Sequence, residues 1–174
     1  RYGRDKFADK FGTADLVGFV NWTMLTYMSD IWSSVLKEVC PSMRGPRRKL
    51  FIDLADPEKR TREDIRRALD LITEFQKFFD VILGLNEKES CEIGGNLDLP
   101  TKDHTPEGLQ KLCQEIHKRV PVDTVIIHPT AYALEDVRRV LRAEIVADDV
   151  AAIIIEPIQG EGGFIVPTAE FMQG

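Results

Sequence analysis

The chain has 174 residues, of which 43% are hydrophobic and 30% are charged, and its formal net charge is -6. This length and composition predict one globular domain with a sizeable core. Because the charge is negative overall and both signs are interspersed, nothing indicates nucleic acid or an anionic membrane as a partner.

The sequence also lacks the marks of a membrane or secreted protein. No apolar run approaches the ~20 residues of a membrane helix, and the N-terminal RYGRDKFADKFG is charged where a signal peptide would be apolar. The cysteines Cys40, Cys91 and Cys113 have no metal-ligand spacing. We therefore expect reduced thiols in a cytoplasmic protein. Since the first residue is Arg1, we also expect a longer parent chain.

Short apolar runs predict four buried strands in the first 128 residues. They lie at residues 16–20, 50–54, 81–85 and 123–128, and segments of helical character separate them. Parallel neighbours need a crossover long enough to contain a helix. The sequence therefore predicts an incomplete three-layer α/β core with a Rossmann-like parallel sheet.

Two of the separating segments carry clear helix signals. The first starts at Thr61 with Asp64 three residues later, and its apolar stripe consists of Ile65, Leu69, Ile72, Phe75 and Phe79. The second starts with Thr105 as the N-cap and Pro106 as the first helical residue, and its apolar face consists of Leu109, Leu112, Cys113 and Ile116.

Other segments are assigned by composition. A helix is expected within residues 22–39, where Trp22, Tyr27 and Trp32 are more typical of a core than of a sugar platform. Residues 40–48 and 94–104 are rich in Pro, Gly and charge and are predicted to be loops. A further short helix and a fifth strand are predicted near residues 134–141 and 150–155.

The most informative polar residues follow the third predicted strand. Asn86, Glu87 and Glu89 come directly after it, where ligand-facing loops of parallel sheets lie. Carboxylates there can hold Mg²⁺ through water. From spacing alone, the favoured interpretation is that Asn86 caps the next helix and that the glutamates are first-turn acids.

The segment LNEKE resembles the N-x-x-E motif of the ribokinase (PfkB) family of carbohydrate kinases, with Asn86 and Glu89 in the defining positions. The resemblance extends over about residues 1–133 and implies a ribokinase-type fold. It also implies ATP and Mg²⁺ as cofactors, with no direct metal ligand among these residues, and a sugar and a nucleotide as ligands. Asp53 and Asp56 end the second strand and are possible site-lining residues, although Asp56 before a proline is equally typical of a turn.

That family also has a glycine-rich G-A-G-D-type anion hole whose aspartate is the general base, and this sequence contains no such motif. Phosphoryl transfer depends on positioning and electrostatic stabilisation of the developing charge. We therefore expect the kinase-like part to be inactive by itself.

Residues 134–174 resemble class III aminotransferases of the 4-aminobutyrate type, chiefly through the stretch EPIQGEGG at residues 156–163. The resemblance implies that Glu156, Gln159, Gly160 and Glu161 lie near pyridoxal phosphate. Glycines there permit close approach of the backbone. The family's Schiff-base lysine and its pyridine-binding carboxylate would follow this stretch.

Three hypotheses follow: a carbohydrate-kinase fragment, part of an aminotransferase, or a non-catalytic chimeric scaffold or interaction module. Neither ATP nor pyridoxal phosphate is expected to bind tightly, and exposed sheet edges make self-association an expectation. The histidines His104, His117 and His128 are dispersed and are expected to be surface or strand-end residues.

Overall fold

Four parallel strands organise the part of the chain that the computed structural model describes, which is residues 4–128. They are β1 (Leu16–Phe19), β2 (Arg48–Asp53), β3 (Phe79–Asn86) and β4 (Thr124–His128). The strands lie side by side in sequence order, and each pairs in parallel with the next. The predicted α/β class with a parallel sheet is confirmed.

Five helices accompany the strands. They are α1 (Arg4–Thr13), α2 (Met28–Glu38), α3 (Arg62–Phe75), α4 (Glu87–Asn96) and α5 (Pro106–Arg119). Short 3-10 turns occupy Cys40–Ser42 and Pro57–Lys59. The sequence reasoning did not predict α1, whose residues are mostly charged or polar.

The core lies on one face of the sheet. In β3 the side chains of Phe79, Val81, Leu83 and Leu85 are fully buried, whereas those of Asp80 and Ile82 between them are half-buried. Leu50 and Ile52 of β2 continue the buried face, and helical residues such as Ile65, Ile72 and Ile116 pack into the same core. On the opposite face, Leu16 and Ile126 are exposed. The described residues thus supply one helical layer, which fits an incomplete three-layer fold.

Helix α3 begins where its capping signal predicts. The Thr61 side chain accepts a hydrogen bond from the Asp64 backbone N–H at 3.1 Å, and Thr61 is the N-cap. The predicted stripe is buried up to Phe75, but Phe79 is not part of it. The helix ends at Phe75 and a turn follows, so Phe79 is the first residue of β3.

The predicted loop over residues 94–104 is wrong at its start, because Gly94, Gly95 and Asn96 form the last turn of α4. Gly94 lacks a side chain where α4 packs against α5. A Cβ atom at Gly94 would lie 2.8 Å from Leu112 Cδ1 and from Thr101 Cγ2. Only glycine therefore allows α5 to approach α4 this closely.

Both tryptophans belong to the core, as predicted, whereas the same prediction is wrong for Tyr27, which is 72% exposed just before α2. Trp32 on α2 is fully buried between Phe19 and Phe75, with ring centroids 5.5 and 6.3 Å away. Trp22 precedes α2 and is also buried, and its Nε1–H donates to Ser29 Oγ at 2.9 Å. The bond satisfies the polar atom of an otherwise apolar side chain.

Helix α5 is confirmed from its cap to its apolar face. The Thr105 hydroxyl accepts a hydrogen bond from the Gly108 N–H at 3.1 Å, and Leu109, Leu112 and Ile116 are buried. The helix and strand predicted near residues 134–141 and 150–155 lie outside the described residues. None of the described helices is long and apolar enough to cross a membrane.

Candidate functional site

Helix α4 begins at the carboxyl end of β3 with a reciprocal pair of capping hydrogen bonds. The Asn86 side chain accepts a hydrogen bond from the Glu89 N–H at 2.9 Å, and Glu89 Oε2 accepts one from the Asn86 N–H at 2.8 Å. This capping box satisfies two N–H groups that a helix start leaves without partners. The favoured interpretation of Asn86 as a helix cap is confirmed.

Glu89 also reaches the neighbouring strand connection. Its second oxygen, Oε1, accepts a hydrogen bond from the Asp56 backbone N–H at 3.0 Å, and the residue is only 4% exposed. One carboxylate thus joins the start of α4 to the loop that follows β2. The sequence placed Asn86, Glu89 and Asp56 at strand ends, and the structure brings them together.

The loop after β2 has an unusual backbone that its side chains support. Ala55 and Asp56 both have left-handed conformations, with φ of 57° and 62°, which are uncommon for residues other than glycine. Asp53 Oδ1 accepts a hydrogen bond from the Ala55 N–H at 2.9 Å. The turn expected before Pro57 is present, since Asp56 precedes the 3-10 turn Pro57–Lys59.

Asp56 also belongs to a charged cluster, in which it contacts two lysines. Lys88 Nζ donates to Asp56 Oδ1 at 2.8 Å, and Lys59 Nζ lies 2.9 Å from Asp56 Oδ2. These hydrogen bonds, first that from Lys88, lower the pKa of the Asp56 carboxyl below its usual value.

The sequence reasoning missed the rest of this cluster. Lys88 Nζ also donates to Glu58 Oε1 at 2.6 Å and lies 3.6 Å from Glu92 Oε1. Carboxylate oxygens of Asp56, Glu58 and Glu92 all lie within 4.8 Å of one another. The spacing of Lys88 and Glu92, four residues apart on a helix, was a signal for one of these pairs. Glu58 has no such local signal, because it approaches through the fold.

His104 has an acidic partner that the sequence did not indicate. Its Nδ1 lies 2.9 Å from Glu87 Oε1, 17 residues earlier, and its side chain is 57% exposed. The prediction of a surface residue is confirmed. His117 on α5 and His128 at the end of β4 are likewise exposed, and the ring of His117 lies 2.6 Å from the Val122 carbonyl oxygen.

Two residues at this edge are poor direct partners for the expected cofactors. Glu89 is 4% exposed and both of its oxygens accept hydrogen bonds from backbone N–H groups, so it is not placed to bind Mg²⁺ directly. A Schiff-base lysine must lose its proton, but the hydrogen bond to Asp56, followed by that to Glu58, raises the pKa of Lys88. The residues predicted near pyridoxal phosphate, Glu156, Gln159, Gly160 and Glu161, lie outside the described residues.

Comparison with known proteins concerns the C-terminal part of the chain. Residues 101–174 match the sequence model of the family described as aminotransferase class-III. The matched range includes α5 and β4, so it overlaps the segment compared above with ribokinases. The chain has no significant match among solved structures.

Individual relatives agree with the family match. A 4-aminobutyrate aminotransferase from Mycobacterium leprae is 64% identical over 33 residues, which are 19% of this chain and 7% of that protein. The Escherichia coli 4-aminobutyrate aminotransferase is 44% identical, and the Pseudomonas aeruginosa 5-aminovalerate aminotransferase 46% identical, each over 41 residues. These matches cover 24% of this chain and 10% of each relative.

The chain thus spans a tenth or less of the length of these curated relatives. The matches support the aminotransferase resemblance stated from residues 156–163 and extend it towards the N-terminus. They give no support to the resemblance to ribokinases. Residues 101–174 are therefore similar to class III aminotransferases.

Proposed function

We propose that this chain carries part of a pyridoxal-phosphate-dependent class III aminotransferase that acts on ω-amino acids. The observation that supports the proposal is the family match over residues 101–174, together with relatives whose names include 4-aminobutyrate and 5-aminovalerate. Pyridoxal phosphate supplies the electron sink of such chemistry. The protein's part is to bind and orient the cofactor and the substrate.

Within the proposal, residues 156–163 form the turn that approaches the cofactor. Gly160, Gly162 and Gly163 allow the backbone to come close, because glycine has no Cβ atom and accepts positive φ. Glu156 and Gln159 supply polar side chains at the same turn. Neither the Lys88 cluster nor the capping box takes part in transamination in this proposal.

A segment exchange tests the proposal directly. Residues 134–174 replace the corresponding residues of the Escherichia coli 4-aminobutyrate aminotransferase, and transamination of 4-aminobutyrate is measured. We expect the hybrid to bind the cofactor, seen as its visible absorbance, and to retain activity. A matched hybrid with Gln159→Leu should fold equally well but lose much of the activity. A folded hybrid that binds no cofactor would contradict the proposal.

A carbohydrate-kinase function is the second candidate, and one observation favours it. Asn86 and Glu89 lie at the carboxyl end of a strand in a parallel sheet, where ligands of such sheets bind. The test is the melting temperature of the chain with and without ATP and Mg²⁺. Ligand at 100 times its Kd stabilises a protein by ~2.7 kcal/mol, so a bound nucleotide should give a clear shift.

Asp53→Asn is the variant for this second test. It keeps an oxygen for the Ala55 N–H and removes a charge from the candidate site. A nucleotide-induced shift that Asp53→Asn reduces would support the kinase candidate. No shift in the wild-type chain, with no pyridoxal phosphate absorbance either, would favour the third candidate, a non-catalytic scaffold or interaction module. Sedimentation at several concentrations would test the self-association proposed for it.

A further inference from the structure

The loop after β2 contacts helix α4 through acidic side chains. These carboxylates outnumber the lysines beside them. Asp56, Glu58 and Glu92 bring carboxylate oxygens within 4.8 Å of one another, and Glu89 binds the same loop. Among residues 4–128, Lys88 and Lys59 are the cations that oppose them in the ion pairs of this cluster. Like charges this close disfavour full ionisation.

Glu92 is the member of the cluster with the weakest compensation. Its side chain is 16% exposed, and its Oε1 atom is buried without a hydrogen-bond partner among the described residues. Lys88 Nζ is 3.6 Å from that oxygen, farther than from Asp56 or Glu58. A buried carboxylate oxygen without a partner is costly, whereas a protonated carboxyl group can donate to a neighbouring oxygen.

Glu58 lies opposite Glu92 in this contact, with a carboxylate oxygen within 4.8 Å of it and a side chain that is 50% exposed. Its backbone N–H donates to Glu92 Oε2 at 3.1 Å, and its side chain reaches the same lysine at 2.6 Å. Burial, followed by the adjacent Glu58 carboxyl, raises the pKa of Glu92 to about 7. The buried Oε1 atom without a partner and the adjacent carboxylates therefore both favour a protonated Glu92.

We propose that the Glu92 carboxyl holds a proton in the folded chain and forms, with Glu58 opposite it, a proton-linked clasp that fastens the loop after β2 to helix α4. Loss of the proton places a further negative charge in the cluster and loosens the loop. Because Asp56 lies on this loop and Asp53 is the last residue of β2 before it, the clasp makes the shape of that edge depend on pH. The proposal does not rest on either candidate function.

Other charged groups around Glu92 do not replace the proton. Arg62 and Arg66 of α3 bind carbonyl oxygens at the far end of α4 and the Asp98 carboxylate. From α5, the apolar Leu112 packs close to Gly94, two residues after Glu92, and Glu87 of α4 is paired with His104. On the strands, Asp80 is paired with Arg47, and His128 is exposed at the end of β4.

The direction of the pH effect follows from the pKa. The pKa of Glu92 is higher in the folded chain than its ordinary value of 4.5, so the folded chain binds this proton more tightly than the unfolded chain does. Its stabilising contribution is therefore complete below about pH 4.5 and is lost as the pH rises through about 7. Asp56 acts in the opposite sense, since its contribution is lost only as the pH falls below its ordinary value of 3.8.

Hydrogen exchange of the Glu58 amide tests the proposal in the intact chain. Its protection, corrected for the intrinsic rate, should fall by roughly tenfold or more between about pH 5.5 and about pH 8.5. The amides of Ile52 and Leu83 in the core strands should change less. In Glu92→Gln, whose amide mimics the protonated acid, the fall should disappear. In the exposed control Glu115→Gln it should remain.

Two outcomes would overturn the clasp. One is a Glu58 amide whose protection is independent of pH in the wild-type chain or depends on pH equally in Glu92→Gln. The other is a carbon NMR titration that gives the Glu92 carboxyl a midpoint near its ordinary 4.5. The titration uses the wild-type chain, so it decides the matter even where Glu92→Gln fails to fold.

Discussion

Glu89 and Asp56 are joined across the carboxyl edge of the sheet by a hydrogen bond of 3.0 Å from the Asp56 N–H to Glu89 Oε1. The same carboxylate accepts from the Asn86 N–H. A residue that the sequence marks as a first-turn acid of a helix is therefore also the support of a left-handed loop 33 residues away.

Glu89→Gln should destabilise the chain by about 1–3 kcal/mol, because an amide has one acceptor oxygen and would leave a buried N–H without a partner. The measurement is urea unfolding followed by far-UV circular dichroism. Glu115→Gln on α5, where the glutamate side chain is 42% exposed and paired with Lys118, is the control and should change stability by less than about 0.5 kcal/mol. Equal effects of the two substitutions would show that the Glu89 bonds contribute little.

Gly84→Ala should destabilise the sheet by about 1–3 kcal/mol through overpacking. The added Cβ would lie 2.9 Å from Phe51 Cε2 and Cζ on the neighbouring strand. Gly18→Ala is the matched control, since nothing lies within 4 Å of a Cβ there, and it should be neutral or slightly stabilising. If the ring is the cause, Phe51→Leu should recover part of the loss in a double-mutant cycle.

Arg60→Lys should loosen the loop between β1 and α2. The Arg60 guanidinium donates to the carbonyl oxygens of Thr23 and Leu25 at 3.0 and 2.9 Å and lies 5.1 Å from the centroid of the Trp22 ring. A lysine cannot reproduce this planar fork, so we expect a loss of about 1–3 kcal/mol and altered tryptophan fluorescence. Arg67→Lys, which keeps the exposed pair with Asp30, should leave both unchanged.

Cys40 should be the least reactive thiol of the folded chain. It is 1% exposed, and burial raises its pKa to about 11, so thiolate forms only as the pH approaches that value. Burial also raises the pKa of Cys91 and Cys113, which are half-buried. Alkylation followed by mass spectrometry at mildly alkaline pH should modify Cys40 last in the native chain, and urea should abolish the difference. Early modification of Cys40 would contradict the buried environment.

The sequence by itself determined the local elements. Apolar runs placed the four strands, and Thr61 and Thr105 placed the starts of α3 and α5, because caps and hydrophobic periodicity act over a few residues. The same local chemistry identified Asn86 as a cap. It misjudged Gly94, since a glycine that permits helix packing has the same local appearance as one in a loop.

Only the tertiary structure decided what surrounds the capped helix. Glu58 meets Lys88 and Glu92, and Asp56 meets Glu89, across 30 to 34 residues of chain. Parallel strand pairing brings the ends of β2 and β3 side by side. No pattern of sequence spacing predicts which side chains then come into contact. The close approach of these carboxylates, and the raised pKa that Glu92 owes to its own burial and to the adjacent Glu58, are therefore properties of the fold rather than of any local motif.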